Sequence, residues 1–494
     1  MWTTLMKLDL ASVGLALFLG LIFLVLFEII RINSYRSQTP PGPRPLPFVG
    51  SLPQFLKNPM EFVRSMSQYG EMSTMYLGRK PVIILNTIQV TKEALVQETF
   101  SGRPVLPLIE WITNGLGIIM VTFGHSWRQQ RRFALHTLRN FGLGKKSVED
   151  RVLEESRYLI SEMLKEEGLP FDPQRLVTNA VANIISGLVF GHRFEYDDHQ
   201  FHLMQKYVDD FLQLPISHWG RLYNEFPTLM SLLPGKHQTA FASMSKLQPF
   251  MQEEFRKHKE EKDPSNPRDY IDCYLDEIEK CKDSEAEFTE ENLMHCVVDL
   301  FGAGTETTSN TLRWALLFMI KYPDVQDKVQ SEIDQVIGQT RQPLMDDRTN
   351  LPYTYAVIHE IQRFANIVTF TPPRVANKDT TVGGQLIPKG VIVMPLLKTI
   401  LQDKNEYSTP YEFNPAHFLD ENGMFLKKDS FIPFSIGKRM CPGEQLARME
   451  LFLFFISLMQ RFTFLNLEGQ RLSLKGSVSV SSGPEPFQIR AVPR

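Results

Sequence analysis

Cys441 stands in the run Phe434-Ser-Ile-Gly437-Lys-Arg439-Met-Cys441-Pro442-Gly443-Glu444. Gly437 permits a sharp bend that other residues resist. Pro442 suits the first position of a helix, and the apolar run Gln445 to Ile456 predicts that helix. Cys441 is thereby expected at a helix N-terminus, where free backbone N–H groups and the helix dipole stabilise a thiolate. Such a thiolate can ligate iron and push electron density onto it. Arg439 is placed to reach a haem propionate, and Phe434 to shield the sulfur from water. A lone cysteine is most often a buried, inert thiol. The spacing of Phe434, Gly437, Arg439 and Gly443 around Cys441 speaks against that here.

Further candidate groups lie upstream. Ala303-Gly304-Thr305-Glu306-Thr307-Thr308 falls inside a long helical pattern. Ala303 and Gly304 are expected to leave room for a flat ligand, and Thr307 to hydrogen-bond back one turn and bend the helix. Glu360 and Arg363 carry opposite charges at i and i+3 on one helix face. Trp127 and Arg131 put an indole N–H and a guanidinium one turn apart, able to grip one haem propionate.

The cysteine run resembles the haem-binding loop of the cytochromes P450, matching Phe-x-x-Gly-x-Arg-x-Cys-x-Gly at every fixed position. The resemblance covers essentially the whole chain and is nearest the microsomal family-2 branch, in its arachidonic-acid epoxygenase-like subfamily. Supporting stretches include Pro40-Pro-Gly-Pro-Arg and Phe413-Asn-Pro-Ala-His-Phe-Leu-Asp. It implies haem b held by Cys441, with Arg103, Trp127, Arg131, Arg374 and Arg439 toward the propionates. Glu306 and Thr307 would deliver protons to oxygen. Glu360 and Arg363 would form a buried structural pair, joined by His417 where most of the family has arginine. Phe301, Ala303, Thr307, Ile367 and Val368 would line the substrate pocket, with the Leu106 to Val121 and Val478 to Val480 loops and the stretch to Phe370. Leu203 to Leu233 would form a mobile lid touching the membrane.

The elements that must position these groups read as mainly α with a small β region. Helical patterns cover Val148 to Glu167, Arg175 to Phe190, Ser243 to Lys262, Thr289 to Lys321 and Asp324 to Ile337. β-like pieces are Met72 to Leu77, Val82 to Leu85, pieces between Val375 and Pro395, and Leu472 to Val480. Residues 48–494 read as one catalytic domain. Before it, Leu10 to Phe27 is uncharged and apolar, long enough as a helix to cross a bilayer. No small-residue cleavage site follows it, so residues 1–31 are expected to be a retained anchor and the proline-rich residues 32–47 a stiff linker. Arg31, Arg36 and Arg44 follow the run, which places the body in the cytosol. By resemblance the membrane is that of the endoplasmic reticulum, crossed once.

A net charge of −3 gives no excess positive charge to hold nucleic acid. The four cysteines, Cys273, Cys281, Cys296 and Cys441, make no Cys-x-x-Cys pair or disulfide framework. Basic residues gather at Arg128, Arg132, Arg139, Lys145 and Lys146, and at Lys427, Lys428 and Lys438. By resemblance this face receives an acidic electron donor. No Gly-x-Gly-x-x-Gly loop follows a strand, so NADPH electrons are expected through a separate reductase, with cytochrome b5 as a further donor. The implied reaction inserts one atom of O2 into a lipophilic substrate such as a polyunsaturated fatty acid or a xenobiotic. A haem-thiolate isomerase of lipid peroxides would not need Glu306 and Thr307. A non-catalytic haem carrier would fill both axial positions, and a sensor would be fused to a signalling domain.

Overall fold

The computed structural model describes residues 10–141, 146–263, 265–477 and 479–494. Lys145 and Val478 lie outside them. Helices dominate, and the expected ones are present as Lys146–Leu164, Gln174–Val189, Lys236–Glu261, Glu290–Lys321 and Pro323–Val336. Their limits follow from local chemistry. The Thr289 side chain accepts from Asn292 N–H and caps the central helix, and Pro323 opens the next one.

Eight strands are described: β1 Met72–Leu77, β2 Lys80–Leu85, β3 Arg374–Val375, β4 Thr380–Val382, β5 Gln385–Ile387, β6 Ile392–Pro395, β7 Phe462–Leu465 and β8 Arg490–Pro493. The expectation of strand over Leu472 to Val480 is corrected. Apart from a single bridge between Gly476 and Pro484, no strand forms there among the described residues, and the C-terminal ladder is β7 with β8. The alternation of Leu472 and Leu474 imitates a strand, but β7 continues directly from a helix end at Arg461 and takes β8 as its partner.

The chain forms two compact units. The first comprises residues up to Gly102 with Phe370–Ile400 and holds the sheet in order β1-β2-β6-β3. Its core packs Phe62, Val63 and Met66 on Met75, Val82, Ile84 and Leu396. Its first helix, Leu10–Arg36, runs past the expected anchor limit at 31 and leaves its apolar side chains exposed, Leu17 at 71% and Ile30 at 68%. Glu28 interrupts that apolar surface and is buried by salt bridges to Arg31 and to Arg79 (3.0 Å) at the β1–β2 turn. The proline-rich stretch is extended but not free, since the Pro41 carbonyl accepts from Thr74 N–H of β1 at 2.9 Å.

The second unit, Arg103–Thr369 with Leu401–Arg494, is built around the 32-residue Glu290–Lys321 helix. That helix packs against Gln174–Val189 and against Glu444–Arg461, the helix that follows Cys441.

Candidate functional site

The cysteine loop is a tight, partly strained turn. Gly437 has φ 79° and Ser435 has φ 60°, a left-handed conformation that costs a non-glycine residue about 1–2 kcal/mol. Ser435 N–H donates to the Ile432 carbonyl, and Cys441 N–H to the Phe434 carbonyl at 3.0 Å. The helix begins at Glu444 with Gly443 as its N-cap, so Pro442 lies just outside it rather than at its first position. Cys441 still receives the Gly443 N–H on its sulfur. Burial pushes the Cys441 thiol above its ordinary value, and the Gly443 N–H and the Arg131 guanidinium pull it down.

Arg103, Trp127 and Arg439 converge on one short segment, Ile118 to Val121. Arg439, buried, donates to the carbonyls of Ile118 (3.2 Å) and Val121 (2.8 Å), and Trp127 Nε1 donates to the same Ile118 carbonyl (3.2 Å). The Arg439 guanidinium lies 3.8 Å from the Trp127 ring centroid. Arg103 Nε donates to the Ile119 carbonyl at 2.9 Å. Arg131 donates to the Met440 carbonyl at 2.5 Å, so Trp127 shares its acceptor with Arg439 and not with Arg131. Arg374 is buried on β3 in the first unit.

Two residues that sequence reasoning missed hang this segment from the central helix. Asp299 accepts from Ile118 and Ile119 N–H at 2.7 and 2.9 Å, and Asn292 accepts from Gly117 N–H at 2.8 Å. Burial pushes the Asp299 carboxyl up to about 6 against these two N–H bonds. The partners are more than 170 residues apart, and an aspartate inside an apolar helix is the only signal that could have found them.

The central helix is buried on most sides, yet Asp299, Leu300, Ala303 and Thr307 keep partial exposure in its middle. Their spacing marks one face. Thr307 Oγ1 donates to the Ala303 carbonyl at 2.9 Å, the expected back-bond. Glu306 accepts from Ser481 N–H and lies 3.5 Å from Gln213 Nε2. Burial, reinforced by Asp209, pushes it up to about 7. Gly304 is corrected: a Cβ there would meet Ile185 at 2.5 Å, so this glycine admits the neighbouring helix rather than a flat ligand. Phe301 is also corrected. It is 1% exposed, with its ring 6.4 Å from those of Phe190 and Phe201, and belongs to the core. Ile367 and Val368 are half-buried, and the Ile367 carbonyl accepts from Ser482 N–H at 2.7 Å.

Glu360 and Arg363 form a fully buried pair with an N–O distance of 2.7 Å. His417 Nδ1 lies 3.2 Å from the Glu360 carboxylate, and Thr409 N–H donates to His417 Nε2 at 3.2 Å. A backbone N–H only donates, so the ring carries its proton on Nδ1, facing Glu360.

This donor set fits haem. It combines a thiol under a helix N-terminus, guanidinium and indole N–H groups for two propionates, and an accessible face on a central helix.

Comparison with known proteins agrees. The Cytochrome P450 family model matches residues 40–491. Cytochrome P450 2J2 of Homo sapiens is 46% identical over 460 residues, 92% of this chain and 91% of that protein. Cytochrome P450 2J1 of Oryctolagus cuniculus is 46% identical over 483 residues, 97% and 96% of the two chains. Cytochrome P450 2C23 of Rattus norvegicus is 43% identical over 487 residues, 97% and 98%. A match of this extent leaves one conclusion: the chain belongs to the cytochrome P450 family, in its microsomal family-2 branch among 2J-like relatives, and is a haem-dependent monooxygenase.

Proposed function

We propose that Cys441 is the haem iron ligand and that the enzyme oxidises lipophilic substrates, polyunsaturated fatty acids among them. The observation that carries the ligand assignment is the Gly443 N–H aimed at the Cys441 sulfur, with Cys441 N–H locked onto the Phe434 carbonyl. Arg103, Trp127, Arg131 and Arg439 would hold the propionates, exchanging backbone carbonyls for charged acceptors. When bound, haem supplies the activation of dioxygen.

The remaining work belongs to the chain. Thr307, on the accessible face, holds a hydroxyl that can release the Ala303 carbonyl and pass a proton. Glu306, half-protonated near neutral pH, can resupply that proton. Thr307→Ala is expected to keep the haem spectrum while several-fold more NADPH goes to hydrogen peroxide; unchanged coupling would remove Thr307 from the relay. The acid form of Glu306 prevails below about 7 and is lost above it. The fraction of NADPH electrons reaching product should therefore fall as pH rises through neutrality. In Glu306→Gln it should be low and flat, measured as product formed per NADPH consumed.

The electron donor is a separate flavoprotein, NADPH–cytochrome P450 reductase, with cytochrome b5 as a second. Support comes from the groove lined by Arg128, Arg131, Arg132, Arg139 and Lys438, whose charge suits an acidic partner. We assign residues 1–31 to an anchor, 32–47 to a linker that begins with the last turn of the anchor helix, which ends at Arg36, and 48–494 to the catalytic domain, which faces the cytosol from the endoplasmic reticulum. The Leu203–Leu233 segment is the lid. Its exposed Leu222, Phe226, Leu229 and Leu232 support contact with the membrane.

The test is turnover with the reductase, NADPH and arachidonic acid under isotopically labelled dioxygen. Labelled epoxides or hydroxylated acids are expected. NADPH consumption without any labelled fatty-acid product would overturn the substrate class.

A further inference from the structure

His359 is adjacent to Glu360 but belongs to a different network. It is 4% exposed, and its ring is enclosed by Tyr355, Phe418, Phe425 and Phe431, with centroids 4.3 to 5.5 Å away. Only its two nitrogens meet polar groups. Nδ1 lies 2.8 Å from the Tyr355 carbonyl one turn back and must donate to it. Nε2 lies 3.3 Å from Arg448 Nη1 and must accept. The ring is thus fixed as the neutral Nδ1–H form. Its pKa agrees, pushed down to about 3 by burial and by the nearby Arg448 and Arg348.

Arg448 lies one turn into the helix that follows Cys441, four residues after Glu444. Its Nε and Nη2 reach Glu444 Oε1 at 2.9 Å. Its guanidinium carbon lies 5.1 Å from the Phe434 ring centroid. Two acceptors, Glu444 and His359, therefore hold the guanidinium plane at the ring that flanks the cysteine. Glu444 in turn acts electrostatically on the Cys441 sulfur, disfavouring the thiolate. A paired Arg448 offsets that negative charge. A part-buried i,i+4 pair such as Glu444–Arg448 holds its geometry weakly by itself; a buried second acceptor removes that freedom.

We propose that His359 is a positioning residue for the haem-thiolate centre: through Nε2 it holds Arg448 against Phe434 and Glu444, and so sets the electrostatic field at the Cys441 sulfur. The inference rests on Cys441 being the iron ligand. The test is the haem midpoint potential, measured with the ferrous carbon monoxide spectrum on the same full-length holoenzyme preparations.

His359→Asn keeps an amide N–H where Nδ1 stood and loses the Nε2 acceptor. His359→Gln places an amide oxygen where Nε2 stood. A negative shift of the potential is expected in the Asn variant, with the Gln variant near wild type. Arg448→Met should shift the potential the same way, and His359→Asn added to it should shift it no further. A wild-type potential in the Asn variant would overturn the proposal, as would additive shifts in the double variant. Should Asn at this buried position prevent haem incorporation, His359→Phe serves in its place with the same expectations. Absence of the thiolate-type carbon monoxide band from wild type would instead refute Cys441 as ligand, a separate failure.

Discussion

Cys441→Ala is expected to yield a protein with no thiolate-type carbon monoxide spectrum and monooxygenase turnover at background. The loss should be complete rather than graded, because no other thiol is placed to substitute. Cys296 is buried against Gln130 and Asn292, and burial pushes its thiol so far up that a thiolate is excluded. Cys273 is pushed to about 11, and Cys281 sits half-buried at the C-terminal end of the Tyr270–Lys280 helix, its Sγ toward the Asp283 carbonyl. Cys441 alone combines a helix N-terminus with a nearby guanidinium, and its backbone is pinned from both sides by Phe434 and Gly443. Far-ultraviolet circular dichroism separates loss of ligand from loss of fold. A retained thiolate-type band in a folded Cys441→Ala protein would show that the ligand lies elsewhere.

The site was legible where its chemistry is local. The cysteine loop needs a bend, a cap and a thiol within ten residues, so spacing alone exposed it. The back-bond of Thr307 spans one helical turn and was equally readable. What escaped is chemistry assembled across the fold. Asp299 and Asn292 suspend the Gly117–Ile119 segment, and His359 meets Arg448 from 89 residues away; no local pattern encodes either. Gly304 shows the converse limit. A glycine on a helix face announces a close approach but not by what, and here the neighbour is Ile185. The helix His125–Asn140, which carries Trp127 and Arg131, has only five buried residues among sixteen, and two of them, Gln130 and Thr137, are polar, so its buried face carries little of the apolar pattern that revealed the others. The identities of Trp127, Arg131 and Arg439 were readable, but the meeting of Trp127 and Arg439 on the Ile118 carbonyl, and of Arg131 with the Met440 carbonyl, required the three-dimensional structure.

Arg363→Ala should be as damaging to the fold as Cys441→Ala is to the spectrum. All five N–H donors of Arg363 are used. Nε and Nη2 reach Glu360 at 2.7 Å, and the Nη groups also reach the carbonyls of Leu401, Pro410 and Glu412 at 2.9 Å each. Removing the guanidinium strands three carbonyls and leaves the Glu360 carboxylate fully buried, with only Asn414 N–H and His417 to face it. Breaking a buried pair in this way costs about 3–5 kcal/mol, a large part of the roughly 5–15 kcal/mol that holds a domain together. The segment from Leu401 to Glu412 would lose its three Arg363 hydrogen bonds to the Pro352–Ala365 helix, leaving the Glu360 contacts with Asn414 and His417. The expected result is a sharp fall in haem-loaded protein and a Tm lower by several degrees in whatever remains. Arg363→Lys, with three donors and no fork, should fall between wild type and alanine. Glu360→Gln combined with Arg363→Met should be milder than Arg363→Ala, because no unpaired charge is left behind. A wild-type Tm and normal haem content in Arg363→Ala would show that the pair contributes little, and that Leu401–His417 is held by its apolar contacts instead.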